Sequence, residues 1–235
     1  MLTPVGKDLY QRARFLTEEA GQMESLAGQY AVGREPELTI AMDTLFPEWM
    51  MVKAIRAFCE QSPHTRINLR QTVLSGTDEL LINKQADIGI SGRIPVSMIG
   101  APLMQIHFVA VAAPDHPLHQ LNRTLSLRDL RLYRQLVVSD SGSRNLDAGW
   151  LGAQHRLTVS NFQTSIEAAI QGLGFAWIPV LKIQKELESG QLKALDLESG
   201  GDRQVQLYLI LTNSDYPGPA VTELAAKIQQ EARSC

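Results

Sequence analysis

The chain has 235 residues, of which 44% are hydrophobic and 20% are charged, and these values are ordinary for a globular protein. This length suits one large domain or two small ones, each able to bury a core of its own. The formal net charge of -3 excludes the domain-wide basic surface with which a protein binds a nucleic-acid backbone by itself.

The two cysteines, Cys59 and Cys235, are far apart and no CxxC is present, so we predict neither a disulfide framework nor a zinc site. His116 and His119 are three residues apart, but no further ligand is near them in sequence. We expect a surface loop there, and no metal or cofactor. Residues 1–20 carry several charges and no apolar leader segment, and no stretch is long enough to span a membrane. A cytoplasmic protein without a membrane partner is the expectation.

The first thirty residues predict one long helix. Pro4 suits the first turn, and Gly33 and Pro36 end the helix. Large apolar residues recur every seven positions from Leu2 to Tyr30, and alanine stands four positions after three of them, as in the core of a coiled coil. The central residues of this linker seam are Leu9, Ala13, Leu16, Ala20, Met23 and Ala27. We expect the seam to pair with a second chain, and the alternative is packing against the rest of the same chain.

The next segment predicts alternating strands and helices. Apolar or alternating runs predict strands at 38–42, 66–73 and 86–90, and helical spacing predicts helices at 47–60 and 78–85. Connections of this length suit parallel pairing and not hairpins. We therefore expect a parallel α/β layer.

The second half of the chain repeats this pattern. Ser160 and Gln163 form a capping-box pattern at the start of one helix, which Gly172 and Gly174 end. The predicted strands are 107–113, 134–138, 157–159, 175–178 and 205–211. The predicted helices are 127–132, 163–173, 180–188 and 220–231. Two similar α/β lobes are therefore expected.

Six segments, in order along the chain, are similar to segments of one family. Leu2-Thr-Pro-Val-Gly6 is similar to an LTPAG segment at which a linker helix begins, and Gly172-Leu-Gly-Phe-Ala-Trp-Ile-Pro179 is similar to a GlGia.lP segment. The other four segments are Pro36–Ala41, Phe58–Pro63, Ala86–Ile90 and Ala113–Leu118. Together they cover nearly the whole chain, which resembles the linker helix and effector-binding domain of LysR-type transcriptional regulators.

The resemblance implies an α/β fold of two Rossmann-like lobes joined by two crossover strands, as in type II periplasmic binding proteins, preceded by a linker helix. The implied parts are the linker helix at 1–33, lobe I at 36–103 plus 210–235, lobe II at 104–209, and crossover strands at 107–113 and 205–211. The resemblance also implies a homodimer or homotetramer. Its DNA contacts would belong to a winged helix-turn-helix that would precede the linker helix, so we expect this chain not to bind operator DNA by itself.

Ligands of open α/β folds bind beyond the carboxyl ends of strands, against the N-termini of helices. Four polar residues at such points, and one arginine as a counter-charge, are the predicted effector contacts: Thr44, Ser75, Ser141, Gln163 and Arg93. Serine and threonine at helix starts serve equally well as ordinary caps, and Asp43 with Thr44 could cap the helix at 47–60. Arg93 could equally be a solvated surface residue. Asp43 would disfavour an anionic effector unless it points away from the site.

Three functions remain open on the sequence. The first is a small-molecule sensor that relays effector binding to a DNA-binding domain. The second is the solute-binding protein of a transporter, which shares the fold but does not need a heptad helix. The third is an enzyme on the same fold. We find no nucleophile–base pair, GxSxG, P-loop or zinc signature, and we predict no catalytic residues.

Overall fold

The computed structural model describes residues 3–31 and 35–234, without the side chains of residues 4, 8, 22 and 24–31. The helices are α1 (Pro4–Ala31), α2 (Glu48–Cys59), α3 (Ser75–Ile82), α4 (Pro117–Gln120), α5 (Leu127–Arg131), α6 (Phe162–Ile170), α7 (Gln184–Glu188) and α8 (Pro219–Arg233). The strands are β1 (Glu37–Asp43), β2 (Arg66–Thr72), β3 (Ile88–Ser91), β4 (Gly100–Ala112), β5 (Arg134–Val138), β6 (His155–Val159), β7 (Ala176–Pro179), β8 (Lys193–Ala194) and β9 (Asp202–Leu211). A 3₁₀ turn, Val180–Lys182, precedes α7.

Two long antiparallel strands, β4 and β9, connect the two halves of the molecule. The main sheet has the order β2-β1-β3-β9-β4-β7, and the short β8 also pairs with β4. β1 is parallel to β2 and β3, whereas β9 is antiparallel to β3 and β4. β5 and β6 form a separate parallel pair, which a bridge between Gln135 and Phe175 ties to the segment before β7. The predicted fold, two α/β lobes joined by two crossover strands, is confirmed.

Each half has its own hydrophobic core. In the first half, α2 and α8 cover one face of the sheet, where Phe46, Met50 and Phe58 are fully buried against Leu224 of α8. The last helix of the chain therefore packs on the first half. Burying each such side chain contributes roughly 1.5–3 kcal/mol. In the second half, the core is formed by α6 and the strands around it, with members such as Ile178.

Two elements begin earlier than the sequence predicts. α3 starts at Ser75 and not at residue 78, because Leu74 (φ 52°, ψ -111°) turns the chain sharply and the residues that follow it are buried. β4 starts at Gly100 and not at residue 107. The first residues of this strand are partly or fully exposed and contain a register shift between Pro102 and Met104. They therefore lack the apolar pattern of a buried strand.

The predicted capping box at the start of α6, formed by Ser160 and Gln163, is wrong. Asn161 is the N-cap, and its side-chain oxygen accepts a hydrogen bond from the backbone N–H of Thr164 at 2.8 Å. The predicted cap of α2 is also wrong, since Pro47 precedes that helix and no side chain caps it. Asparagine is as good a cap as serine, so residue type alone does not decide between these two neighbours.

The linker seam is solvent-exposed on α1. Leu9, Leu16 and Met23 are 62%, 68% and 72% exposed, and Ala13 and Ala20 are exposed as well. The side chain of Ala27 and the whole of Leu2 and Gly33 lie outside the described residues. Pairing of this seam with a second chain stays a prediction.

The remaining expectations concern a membrane and a metal. Neither α1 nor any other described helix is long and apolar enough to cross a bilayer. Within 3–31 and 35–234, no group of His, Cys, Asp and Glu side chains could hold a metal ion. The expectation of a surface loop is wrong for His116, which is buried. Its Nδ1 accepts a hydrogen bond from the N–H of Leu118 at 3.2 Å at the start of α4, and its ring packs against Tyr133.

Candidate functional site

A cavity of about 360 Å³ lies between the two halves, beside the crossover strands β4 and β9. Lobe I contributes the ends of β1, β2 and β3, and lobe II contributes β5, the loop that follows it, and the start of α6. The lining residues that carry the arguments below are Asp43, Leu74, Arg93, Phe108, Phe162, Ser165, Trp177, Arg203 and Val205. Because both lobes and both crossover strands form its wall, a ligand there would contact both lobes and both crossover strands at once.

Most of the cavity wall is apolar. The rings of Phe108 and Phe162 stand 6.5 Å apart at an interplanar angle of 54°, and Leu136 and Val205 extend the same wall. Apolar walls with a few placed polar groups are typical of sites for small organic molecules. The wall therefore favours a ligand with an apolar body.

Asp43 is the acidic group of the cavity. Its Oδ1 accepts a hydrogen bond from the N–H of Leu45 at 2.9 Å, and its Oδ2 accepts one from the N–H of Leu74 at 3.3 Å. Burial raises the pKa of Asp43 from 3.8 to about 6, against the opposing effect of these backbone bonds and of Lys182. The hydrogen bond to Asp43 holds Leu74 in an unusual backbone conformation. The charged form of Asp43 is only weakly favoured.

Arg203, on the lobe II end of β9, is the basic group of the cavity that has no acidic partner. Its guanidinium carbon lies 4.0 Å from the centre of the Trp177 ring, and its Nε donates to the carbonyl of Gly200 at 3.3 Å. Burial lowers the pKa of Arg203, and no described carboxylate offsets that effect. A positive charge that is partly removed from water without a counter-ion is an anion-binding group.

Arg93, in contrast, already has an acidic partner. Its Nη2 lies 2.8 Å from Oδ2 of Asp78, and Nη1 of Arg144 lies 3.6 Å from the same oxygen. Burial raises the pKa of Asp78, and the two arginines only partly offset this rise. Because Arg93 comes from lobe I and Arg144 from lobe II, this buried carboxylate joins the two lobes beside the cavity.

A set of hydrogen bonds, here called the interlobe latch, joins residues 73–79 of lobe I to residues 140–143 of lobe II. The carboxylate of Asp140 accepts from the N–H of Ser75 at 2.9 Å and from its hydroxyl at 2.6 Å. The hydroxyl of Ser141 accepts from the N–H of Val73 at 2.8 Å and lies 3.1 Å from its carbonyl oxygen. Ser143 donates its N–H and its hydroxyl to Glu79.

Asp140 is the central acceptor of the latch. Burial alone would raise the pKa of this carboxyl, but hydrogen bonds from Ser75, Gly142 and Leu146 outweigh burial and hold the pKa below its usual value. The ionised form of Asp140 is therefore favoured in the arrangement of the lobes in which the latch is formed, here called the closed arrangement. The latch closes one side of the cavity.

The structure places the five predicted contact residues in four different settings. Arg93 lines the cavity. Ser75 and Ser141 face each other's lobe in the latch, where their hydroxyls already have protein partners. Thr44 is buried beside the cavity with no hydrogen-bond partner for its hydroxyl, and Gln163 is exposed at the start of α6. Contact of any of the five with an effector stays a prediction.

Sequence reasoning did not propose four of the lining side chains as contacts: Phe108, Phe162, Trp177 and Arg203. Phe108 and Arg203 are cross-strand partners on β4 and β9, and their pairing is visible only in the sheet. Arg203 precedes the predicted strand 205–211, whereas the observed β9 starts at Asp202, so no sequence pattern placed this arginine in a strand at the cavity. Trp177 is half-buried at the cavity.

Comparison with known proteins identifies one family consistently. The description "LysR substrate binding domain" fits residues 31–233. The chain is 32% identical over 203 residues to a probable HTH-type transcriptional regulator, YhaJ, of Escherichia coli K12, and the match covers 84% of this chain and 68% of that protein.

Two solved structures are similar in fold. The regulatory domain of NMB2055 (MetR), a LysR family regulator from N. meningitidis, has a TM-score of 0.67 and 20% identity, over 84% of this chain and 94% of that one. The full-length LTTR LysG from Corynebacterium glutamicum, with its bound effector Arg, has a TM-score of 0.66 and 17% identity, over 99% of this chain and 79% of that one. At these identities the two structures carry an argument about the fold alone.

Proposed function

Because the chain belongs to the LysR substrate-binding domain family, we propose that it is the part of a LysR-type transcriptional regulator that senses a small-molecule effector. The observation that carries this proposal is the interlobe cavity, whose wall is shared by both lobes and both crossover strands. The relatives are transcriptional regulators, which agrees with the first function predicted from the sequence and not with a transporter's solute-binding protein. We propose no catalytic role.

Effector binding would act through the relative position of the lobes. A ligand in the cavity contacts lobe I at Leu74 and lobe II at Phe162, so it stabilises whichever lobe arrangement fits it best. Leu74 directly precedes Ser75, which belongs to the interlobe latch. Occupation of the cavity would thereby strengthen or weaken the latch and change the surface that the lobes present to other subunits.

The predicted effector contacts take different roles in this proposal. Arg93 would contact the effector directly, in exchange for part of its ion pair with Asp78. Ser75 and Ser141 would contact it only when the latch opens, since their hydroxyls are bonded to protein atoms in the closed arrangement. Thr44 has a free buried hydroxyl next to the cavity, and Gln163 would need to turn inward from the surface.

We further propose that the whole regulator is a cytoplasmic homodimer or homotetramer that contacts DNA through a winged helix-turn-helix preceding the linker helix. The exposed seam of α1 supports an interface between copies. The proposed division of the chain is a linker helix at 1–33, lobe I at 36–103 plus 210–235 and lobe II at 104–209. The course of β4 and β9 and the packing of α8 on the first lobe support this division.

The test of this function uses the full-length regulator and its operator. Fractions of a metabolite extract are expected to change the operator affinity, and the change should disappear in Val138→Trp, which fills the cavity. Val96→Trp is the matched control, because Val96 is fully exposed and outside the cavity lining. Sensing would be refuted if no fraction altered operator affinity, or if Val138→Trp responded as the wild type does.

A further inference from the structure

The charged groups of the cavity differ in how completely the protein satisfies them. Asp43 accepts two backbone hydrogen bonds, and Arg93 is paired with Asp78. Arg203 makes one hydrogen bond, through Nε to Gly200, and none of the described carboxylates forms an ion pair with it. Among the described residues, no hydrogen bond or ion pair occupies the terminal N–H groups of Arg203, so they are available to a ligand.

The Arg203 side chain is held in place by its surroundings. It stacks on Trp177, whose indole N–H donates to the same Gly200 carbonyl at 2.9 Å, and Phe175 supports the indole edge-on at 5.7 Å between ring centres. Such stacking leaves the guanidinium plane fixed and its edge free. The arginine is therefore oriented before any ligand arrives.

Two glycines, Gly149 and Gly200, lie near the terminal nitrogens of Arg203. A Cβ placed on Gly149 would come no closer than 3.8 Å to Nη1, and one placed on Gly200 would stay 4.0 Å from Nη2. Glycine at both positions means that no side chain from these two residues contacts the terminal nitrogens. The planar edge of a guanidinium matches a carboxylate through two parallel hydrogen bonds.

From this arrangement we propose that the effector is a small organic anion with a planar apolar body, whose carboxylate binds Arg203 while the body lies against Phe108, Phe162 and Val205. The inference rests on the proposed function, since it names the class of ligand that the interlobe cavity takes. The apolar wall excludes water from the ion pair and so strengthens it. Asp43, which comes from the opposite lobe, repels a carboxylate and directs it toward Arg203.

The experiment compares three probes that share one body and differ in the head group: phenylacetate, phenylacetamide and 2-phenylethylamine. Their dissociation constants are measured by calorimetry on the full chain near neutral pH. Phenylacetate is expected to bind at least about tenfold more tightly than phenylacetamide, the size of one charge-assisted hydrogen bond. The amine is expected to bind more weakly than the amide.

Variants of Arg203 assign this preference to one side chain. In Arg203→Gln the preference for phenylacetate over the amide should fall to about one, and in Arg203→Lys part of it should remain because the charge is kept. Arg128→Gln is the matched control, because it removes an exposed arginine of lobe II outside the cavity and should leave the preference unchanged. Melting temperatures without ligand show that each variant is folded.

The inference is overturned if phenylacetate does not bind at millimolar concentration, if it binds no better than the amide, or if Arg203→Gln keeps the preference. These outcomes can be distinguished from a failure of the proposed function. A neutral metabolite that altered operator binding by the full-length regulator would leave the sensor standing and remove only the anionic class of effector.

Discussion

The ionised carboxylate of Asp43 destabilises the folded chain at neutral pH, because burial raises its pKa from 3.8 to about 6. Between about pH 4 and 6 the folded state holds a proton that the unfolded state has already released. By linkage, the contribution of Asp43 to stability is greatest below this window, falls as the pH rises through it, and stays at its lower value above it. A shift of this size corresponds to about 3 kcal/mol.

Replacing Asp43 by asparagine should remove this fall in stability. Urea unfolding of the wild type and Asp43→Asn is measured from pH 4 to pH 7.5, and the difference between their free energies of unfolding isolates the titration of Asp43. We expect the wild type to lose about 3 kcal/mol relative to the variant across the window. Asp215→Asn, which changes an exposed carboxylate, is the control and should show no such trend. A flat difference between wild type and Asp43→Asn would contradict the assignment.

Single residues also show which features of the site could not be predicted from the sequence. Helix starts and strand ends predicted contacts at Thr44, Ser75, Ser141 and Gln163, because parallel strands bring their carboxyl ends to one edge of a sheet. They could not decide which side chain points inward. Ser141 turns to the backbone of Val73, while Arg203, near the start of β9, reaches the cavity beside its β4 partner Phe108 and against Trp177.

The loop between β5 and β6 is the element that connects the cavity to the latch. Buried Gln135 holds it in place: its amide N–H donates to the carbonyl of Gly149 at 2.8 Å, and its oxygen accepts from the N–H of Leu151 at 3.0 Å. The same loop contributes Asp140 to the latch and Gly149 to the cavity wall. The sequence predicted an effector contact at Ser141 in this loop, but the contacts of the loop with lobe I depend on pairs more than sixty residues apart, which local patterns do not encode.

At the level of whole helices, α1 carries a testable interface. Changing Leu9 and Leu16 together to glutamate places charges in the predicted seam, where each buried leucine would contribute roughly 1.5–3 kcal/mol. Sedimentation velocity is expected to show a smaller oligomer than the wild type at the same concentration. Gln11→Glu with Thr17→Glu adds the same charge to the polar side of α1 and should leave the sedimentation unchanged. Equal sedimentation of the wild type and the leucine double variant would show that the seam is not an interface.

Across the whole molecule, the cavity and the latch depend on one geometry. The two lobes are tied by β4 and β9 on one side of the cavity and by the latch on the other. The sequence predicted the lobes and the crossovers, because alternating strands and helices with long connections restrict the topology to few choices. It could not predict the closed arrangement, which depends on side chains such as Asp140 and Ser75 that meet between the lobes.

A disulfide across the latch should lock this closed arrangement. A Cβ placed on Gly76 would lie 3.3 Å from the Cβ of Ser141 and 3.3 Å from the Cβ of Thr72. Disulfides place the two Cβ atoms about 3.8 Å apart, so the bond requires Ser141 and Thr72 to shift by a few tenths of an ångström. Gly76→Cys with Ser141→Cys is made in a background with Cys59→Ser and Cys235→Ser. The free energy of unfolding of the oxidised form should be about 4 kcal/mol larger than that of the reduced form, as expected for closing a loop of this length.

The same disulfide variant tests whether the response to an effector requires the lobes to change position. In the full-length regulator, operator affinity of the oxidised form should no longer respond to the extract fraction that alters the wild type, because the lobes cannot change position. Reduction should restore the response, and each single cysteine variant should respond in both redox states. An oxidised form that still responded would show that the signal travels without movement at the latch, through the linker helix or the subunit surface alone.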